Sequence, residues 1–180
     1  MISRLRLAAG VLLLLLQISC TAPGVCRQTP RRISPASQEV SISSACSWNE
    51  TGIQVKRGHR YDLKPSGTWT DWIVLCDASG PRVPFLRCVM DPSRPRLRYP
   101  PGRDALAHFF SLVVCVHTQP QVPDQVPGDA FLVPREGIRA WTAPADGRLL
   151  AFANDWKSAY GNNRGALTLR VTEVAAPGPP

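Results

Sequence analysis

The chain has 180 residues but only three histidines and two methionines, and none of its six cysteines form a Cys-x-x-Cys pair. Zinc sites and thioredoxin-type dithiols need closely spaced Cys or His, so neither chemistry is supported. His-Glu-x-x-His, Gly-x-Ser-x-Gly and a phosphate loop are also missing, which removes common metalloprotease, hydrolase and nucleotide-binding signatures. Cys115 and His117 would share one strand face. Thiol–imidazole catalysis also needs an orienting group and an oxyanion site, and no pattern for either is present. The reading is of a non-enzyme. No apolar run reaches the roughly 20 residues of a spanning helix. No long stretch has helical periodicity and nothing repeats at a fixed period, which argues against bundles, solenoids and propellers.

What the chain does contain is proline (18 residues), five tryptophans and many short alternating segments. That composition predicts an all-β fold with irregular loops, and the length suits one domain with a real core. The formal net charge is +8. Arg4 and Arg6 belong to a leader, and Arg82, Arg87, Arg94, Arg96, Arg98 and Arg103 are spread through one proline-rich loop. A nucleic-acid partner would call for a basic stripe on a recognised module, and neither is present. The loop reads as a solvated one, with an anionic envelope surface as the alternative partner.

Residues 1–19 read as an export signal, with a positive start and the apolar centre Leu7 to Leu16. Leu16-Gln17-Ile18-Ser19-Cys20 resembles a bacterial lipoprotein box, with Cys20 as the lipidation site and Gln17 as a departure from the usual leucine. The expected location is the periplasm or the outer membrane, held by acyl-chain burial. Ordinary cleavage near Cys20–Ala22, giving a secreted protein, is the alternative. Export means an oxidising compartment. Cys76 with Cys88 is the preferred disulfide because both flank one loop, and Cys26 with Cys46 is the second choice. Cys115, inside the apolar run Phe109 to Val116, reads as a buried free thiol.

Residues 20–38 are rich in Pro, Ser and Arg and read as a disordered tether. A domain over 39–176 follows, then a frayed end at 177–180. Strands are expected at Val40–Ser43, Ile53–Val55, Tyr61–Leu63 and Thr68–Trp72. More are expected at Phe109–Val116, Ala130–Val133, Ile138–Thr142, Arg148–Ala153 and Ala166–Val171, with a turn at Trp48–Thr51. Eight or nine short strands predict an antiparallel β-sandwich of jelly-roll or galactose-binding type.

The last two strands flank Asn154-Asp155-Trp156-Lys157-Ser158-Ala159-Tyr160-Gly161-Asn162-Asn163-Arg164-Gly165. Asp and Asn are hard oxygen donors, and glycines allow the positive φ that folds donors inward. Oxygen-only donors on a tight loop suit calcium better than zinc or copper. The same residues also make an ordinary hairpin turn.

Gly67-x-Trp69-x-Asp71, Trp141-Thr142-Ala143-Pro144, Gly147-x-Leu149, Asn154-Asp155 and Tyr160-Gly161-Asn162-Asn163-x-Gly165 together resemble the LecA-type (PA-IL-like) galactophilic lectins. These are small calcium-dependent β-sandwich lectins of bacteria. The resemblance runs from about Val40 to Val174. It implies a calcium site formed by Asp155, the Ala159 carbonyl, Asn162 and Asn163, with a donor at or near Asp71. It also implies that Asp155 and Asn162 bond sugar hydroxyls. Trp156 would stack on a pyranose, or else serve only as packing. The family's sugar-contacting histidine and glutamine have no counterpart in the different loop Asp77–Gly102, so galactose specificity does not carry over. The expectation is a calcium-dependent carbohydrate-binding domain of a cell-envelope lipoprotein, with a glycan partner and homo-oligomerisation left open. The alternative is a non-catalytic envelope scaffold whose calcium is structural or absent.

Overall fold

The computed structural model describes residues 24–83, 97–99 and 109–175. Thirteen strands account for most of them, and no α-helix is found among the described residues. One sheet has the order β1 (Val25–Arg27), β4 (Trp48–Val55), β12 (Gly147–Ala153), β9 (Leu112–His117), β10 (Phe131–Leu132). The second runs β11 (Ile138–Thr142), β5 (Arg60–Ser66), β13 (Asn163–Val174), β6 (Trp69–Asp71), β7 (Val74–Asp77), β8 (Gly80–Pro81). In that sheet β3 (Ser37–Ser43) also pairs with β13, and β2 (Arg31–Ser34) pairs with β3. The expected all-β sandwich is what the chain forms.

Alternation explains how the sheets face each other. Along β13, Leu167, Leu169 and Val171 are buried while Ala166, Thr168 and Arg170 are exposed. Their buried faces meet Val40 and Ile42 of β3, Ile53 and Val55 of β4, and Leu149 and Ala151 of β12. Burying each such aliphatic side chain contributes about 1.5–3 kcal/mol. β9 does not alternate, because Leu112 to Val116 are all buried. Leu112, Val114 and Val116 face the inter-sheet core, and Val113 and Cys115 face a second cluster with Trp48, Leu150, Phe152 and Tyr99. The continuous apolar run thus marks a strand covered on both faces.

Two local expectations are corrected. The described part of the 20–38 tether is not disordered: it contributes β1, β2 and the start of β3. The Cys26–Cys46 disulfide closes a 20-residue separation and ties β1 to the segment before β4. Glu39 of β3 accepts hydrogen bonds at 2.8 Å from Arg31 of β2 and from Arg170 Nε of β13. Those bonds from Arg31 and Arg170 hold the Glu39 carboxyl below the usual carboxylate range. Every residue of β2 is exposed, so an edge strand here has the composition of a tether. Trp48–Thr51, expected as a turn, opens β4, because Trp48 packs edge-on to Phe152 at 4.8 Å.

The leader, Cys20 and residues 177–180 lie outside the described residues. So does Cys88, and with it the preferred Cys76–Cys88 bridge.

Candidate functional site

The site is built where β6, β12 and β13 end together. Asn163, the first residue of β13, lies opposite Asp71, the last residue of β6. Just past the end of β12, Asn154 accepts a backbone bond from Tyr99 (2.9 Å) and donates to the Tyr99 carbonyl (3.0 Å). The Phe110 N–H donates to the Asn154 carbonyl at 2.7 Å. Asn154 is therefore a fastener, and it fixes the position of Asp155 next to it. A 3₁₀ turn at Tyr160–Asn162 then returns the chain to β13. Its Tyr160 ring is buried, and the hydroxyl donates to the Ala153 carbonyl at 2.6 Å.

Within this frame, Asn162 Nδ2 donates to Asp71 Oδ1 at 2.8 Å. Asn163 Nδ2 donates to Asp155 Oδ2 and to the Ser44 carbonyl, both at 3.0 Å. Two acceptors on one side fix which end of the carboxamide is nitrogen. Asn163 is wholly buried, and its Oδ1 has no hydrogen-bond partner. The Ala159 carbonyl lies in the same loop and accepts the Asn162 N–H at 3.4 Å. Asp71, Asp155, Asn162 and Asn163 are thus joined pairwise by hydrogen bonds, with Ala159 bound to Asn162.

Asp71 and Asp155 are 8% and 1% exposed. Burial pushes the Asp155 carboxyl up to about 6, opposed by the bonds from Asn163 and the Trp156 N–H and helped by the nearby Asp71 charge. Burial also raises Asp71, against the Asn162 bond. The neighbouring guanidinium groups are turned to other acceptors. Arg164 donates to the Gly161 and Asn163 carbonyls at 3.1 and 2.7 Å. Arg98 donates to the Ser47 carbonyl and to the Tyr160 hydroxyl. Its guanidinium lies over Trp48 and Phe152, at 4.5 and 4.3 Å from the ring centroids. Arg98 is therefore part of the packing rather than of a solvated basic loop.

Buried carboxylates without a cation are costly, as is a buried carbonyl oxygen without a donor. A hard cation between them would relieve both penalties, so these residues fit calcium chemistry. Among the described residues, no three His, Cys, Asp or Glu side chains converge on a metal-holding cluster. A cation here would rely on two carboxylates plus carboxamide and backbone oxygens.

Of the three residues implied to meet a sugar, Asn162 is exposed, Trp156 is half-buried against the core, and Asp155 is buried. A residue missed at the sequence level is Trp72. It is 74% exposed in the turn between β6 and β7, next to Asp71, and its N–H donates to the Asn162 carbonyl at 3.3 Å. Strand alternation through Trp69 and Asp71 hid it, since an outward tryptophan at that position looks like an ordinary edge residue.

The other chemistry-bearing groups lie elsewhere. Burial pushes the Cys115 thiol up to about 12, the opposite of an activated nucleophile. His59 pairs with Glu173 at 2.6 Å on the surface. His117 bonds the Gln121 carbonyl.

No protein-family model matches the chain, and no curated protein matches it. Among solved structures, the chain is similar to one described as "EclA N-terminal domain; PllA-like lectin". The identity is 18% and the TM-score 0.47, with 77% of this chain and 96% of that chain covered.

Proposed function

We propose that the chain is a calcium-dependent carbohydrate-binding domain of an exported envelope lipoprotein anchored through Cys20. Asp71, Asp155, Asn162, Asn163 and the Ala159 carbonyl hold the cation. The observation that carries this reading is the orphaned, fully buried Asn163 Oδ1 beside two buried carboxylates. Calcium bound there would offer its remaining coordination positions to the vicinal hydroxyls of a sugar. Asp155 is the buried anchor and supplies negative charge. Asn163 orients Asp155 through its amide and tethers the site to the Ser44 carbonyl. Asn162 is the accessible member, so its amide and the Asp71 carboxylate it bonds form the rim that meets ligand hydroxyls. The role is binding, with no bond made or broken.

One observation favours a second reading. Asp155 and Asn163 are covered almost completely, as in a cation site that only braces a loop. In that case the protein would be an envelope scaffold.

Thermal melting of the purified protein in calcium and in chelator tests the site. At calcium well above its dissociation constant, linkage predicts a rise of about 5–10 °C, abolished in Asp155→Ala. No rise would leave the loop as a hairpin turn. Glycan-array binding that disappears in chelator would then separate the lectin from the scaffold.

A further inference from the structure

We propose that Trp72 is the aromatic wall of the carbohydrate site, taking the C–H face of a hexopyranose whose hydroxyls meet the oxygen cluster. The inference rests on the calcium-dependent reading above and names a residue that the LecA-type resemblance did not supply.

Three observations converge on it. First, Trp72 and Ile73 are 74% and 78% exposed, whereas Trp69 on the same hairpin is 1% exposed and fills the core. Core packing therefore does not require an aromatic at 72. Second, Trp72 has φ 48, in the left-handed region that bulky aromatics rarely adopt; Phe110, at φ 63, is held there by the core, whereas Trp72 is exposed. Such strain persists where the surroundings over-determine the backbone, and it clusters at ligand sites. Third, those surroundings are the site itself. The Trp72 N–H donates to the Asn162 carbonyl at 3.3 Å, and the Asn162 side chain donates to Asp71 at 2.8 Å. The turn bearing the indole is thus bonded at two points to the exposed member of the donor cluster.

The chemistry suits a sugar. A pyranose has one rim of hydroxyls and a face of C–H groups. Oxygen donors and a hard cation match the first, and a flat apolar ring matches the second. Leu75 and Val83, also exposed along this sheet edge, make a lipid surface the competing occupant, so the experiment includes it.

The test is titration calorimetry of the purified protein in calcium with methyl α-mannopyranoside, methyl β-galactopyranoside and methyl β-glucopyranoside. Trp72→Gly, which suits the left-handed backbone, and Trp72→Phe are compared with the parent. The expected result is that Trp72→Gly keeps the calcium-dependent melting rise and loses about tenfold in glycoside affinity, while Trp72→Phe keeps most of it. Unchanged affinity in Trp72→Gly overturns the proposal and leaves the calcium reading intact. Absence of the calcium rise in the parent overturns the underlying reading instead. Acrylamide quenching gives an independent arm, with the Trp72→Phe difference isolating this indole. Protection by a glycoside supports the wall. Protection by phosphatidylglycerol vesicles alone overturns it in favour of membrane docking, and binding of none of the three glycosides in calcium also overturns it.

Discussion

Asn163 and Asp71 stand directly opposite each other where β13 meets β6, although 92 residues separate them in the chain. The pairing register brings the Asn162–Asn163 dipeptide against the hairpin that ends in Asp71. Asn162 bonds Asp71 while Asn163 reaches the other way, to Asp155 and Ser44. Adjacent carboxamides thus serve two carboxylates, one at the end of β6 and one just past the end of β12.

The Asp71→Asn variant should separate charge from geometry. Its side-chain oxygen can still accept the Asn162 amide, so the hairpin is kept. Burial already disfavours the charge on Asp71, so the variant should melt no lower than the parent in chelator. On the proposed ligand set, calcium affinity should fall about tenfold to a hundredfold, measured by titration, because one of its two anionic members is gone. An unchanged affinity would remove Asp71 from the ligand set.

Stability without calcium should fall as pH rises through about 6. The folded Asp155 carboxyl titrates near 6, above the ordinary 3.8, so between these values the folded state holds a proton that the unfolded state has lost. The stabilisation is complete below the unfolded value and is lost as pH rises through the folded one. Its size is on the order of 3 kcal/mol. Asp71 acts in the same direction. Calcium needs the ionised carboxylates, so its affinity should weaken as pH drops below about 6. Urea melts at pH 4.5 and 7.5, with and without chelator, read both slopes.

Breaking the Cys26–Cys46 disulfide should cost about 3 kcal/mol, the loop-closure value for its 20-residue separation. Cys26→Ser with Cys46→Ser should therefore melt roughly 6–12 °C lower. The calcium response should weaken as well, because Cys46 lies two residues from Ser44, whose carbonyl accepts the Asn163 amide.

Gly165→Ala should destabilise by about 1–2 kcal/mol. Gly165 has φ +84, and an added Cβ would lie 3.3 Å from the Trp69 Cα on the facing strand. Gly165 pairs with Trp69 in the same short ladder that sets Asn163 against Asp71, so calcium affinity should fall as well. Chemical denaturation and calcium titration of the one variant check both effects.

Much of the sandwich could be read along the chain because its signal is local. The period-2 alternation of Leu167, Leu169 and Val171, and the unbroken run from Leu112 to Val116, follow from which faces of a strand are covered. Asp155, Ala159, Asn162 and Asn163 lie within one nine-residue stretch, so their grouping was legible too. The resemblance brought in Asp71 from the distant hairpin.

Residues 25–38 were misread because a solvent-exposed edge strand and a tether have the same polar composition. Partners outside the segment, Cys46 for Cys26, Glu39 for Arg31 and Thr172 for Ser37, distinguish the two. Trp48 was misread for a similar reason, since its contact is with Phe152 on another strand. By itself the sequence determined an all-β chain, an oxygen-rich loop between its last two strands, and the residue types that loop can offer to a cation. The tertiary structure alone decided that Asp71 faces Asn163, that Asn163 Oδ1 is sealed without a donor, and that Trp72 stands exposed beside Asn162. The physical reason is that burial and strand register depend on which distant segments pair, and hydrogen-bond satisfaction can be judged only once every neighbour is in place.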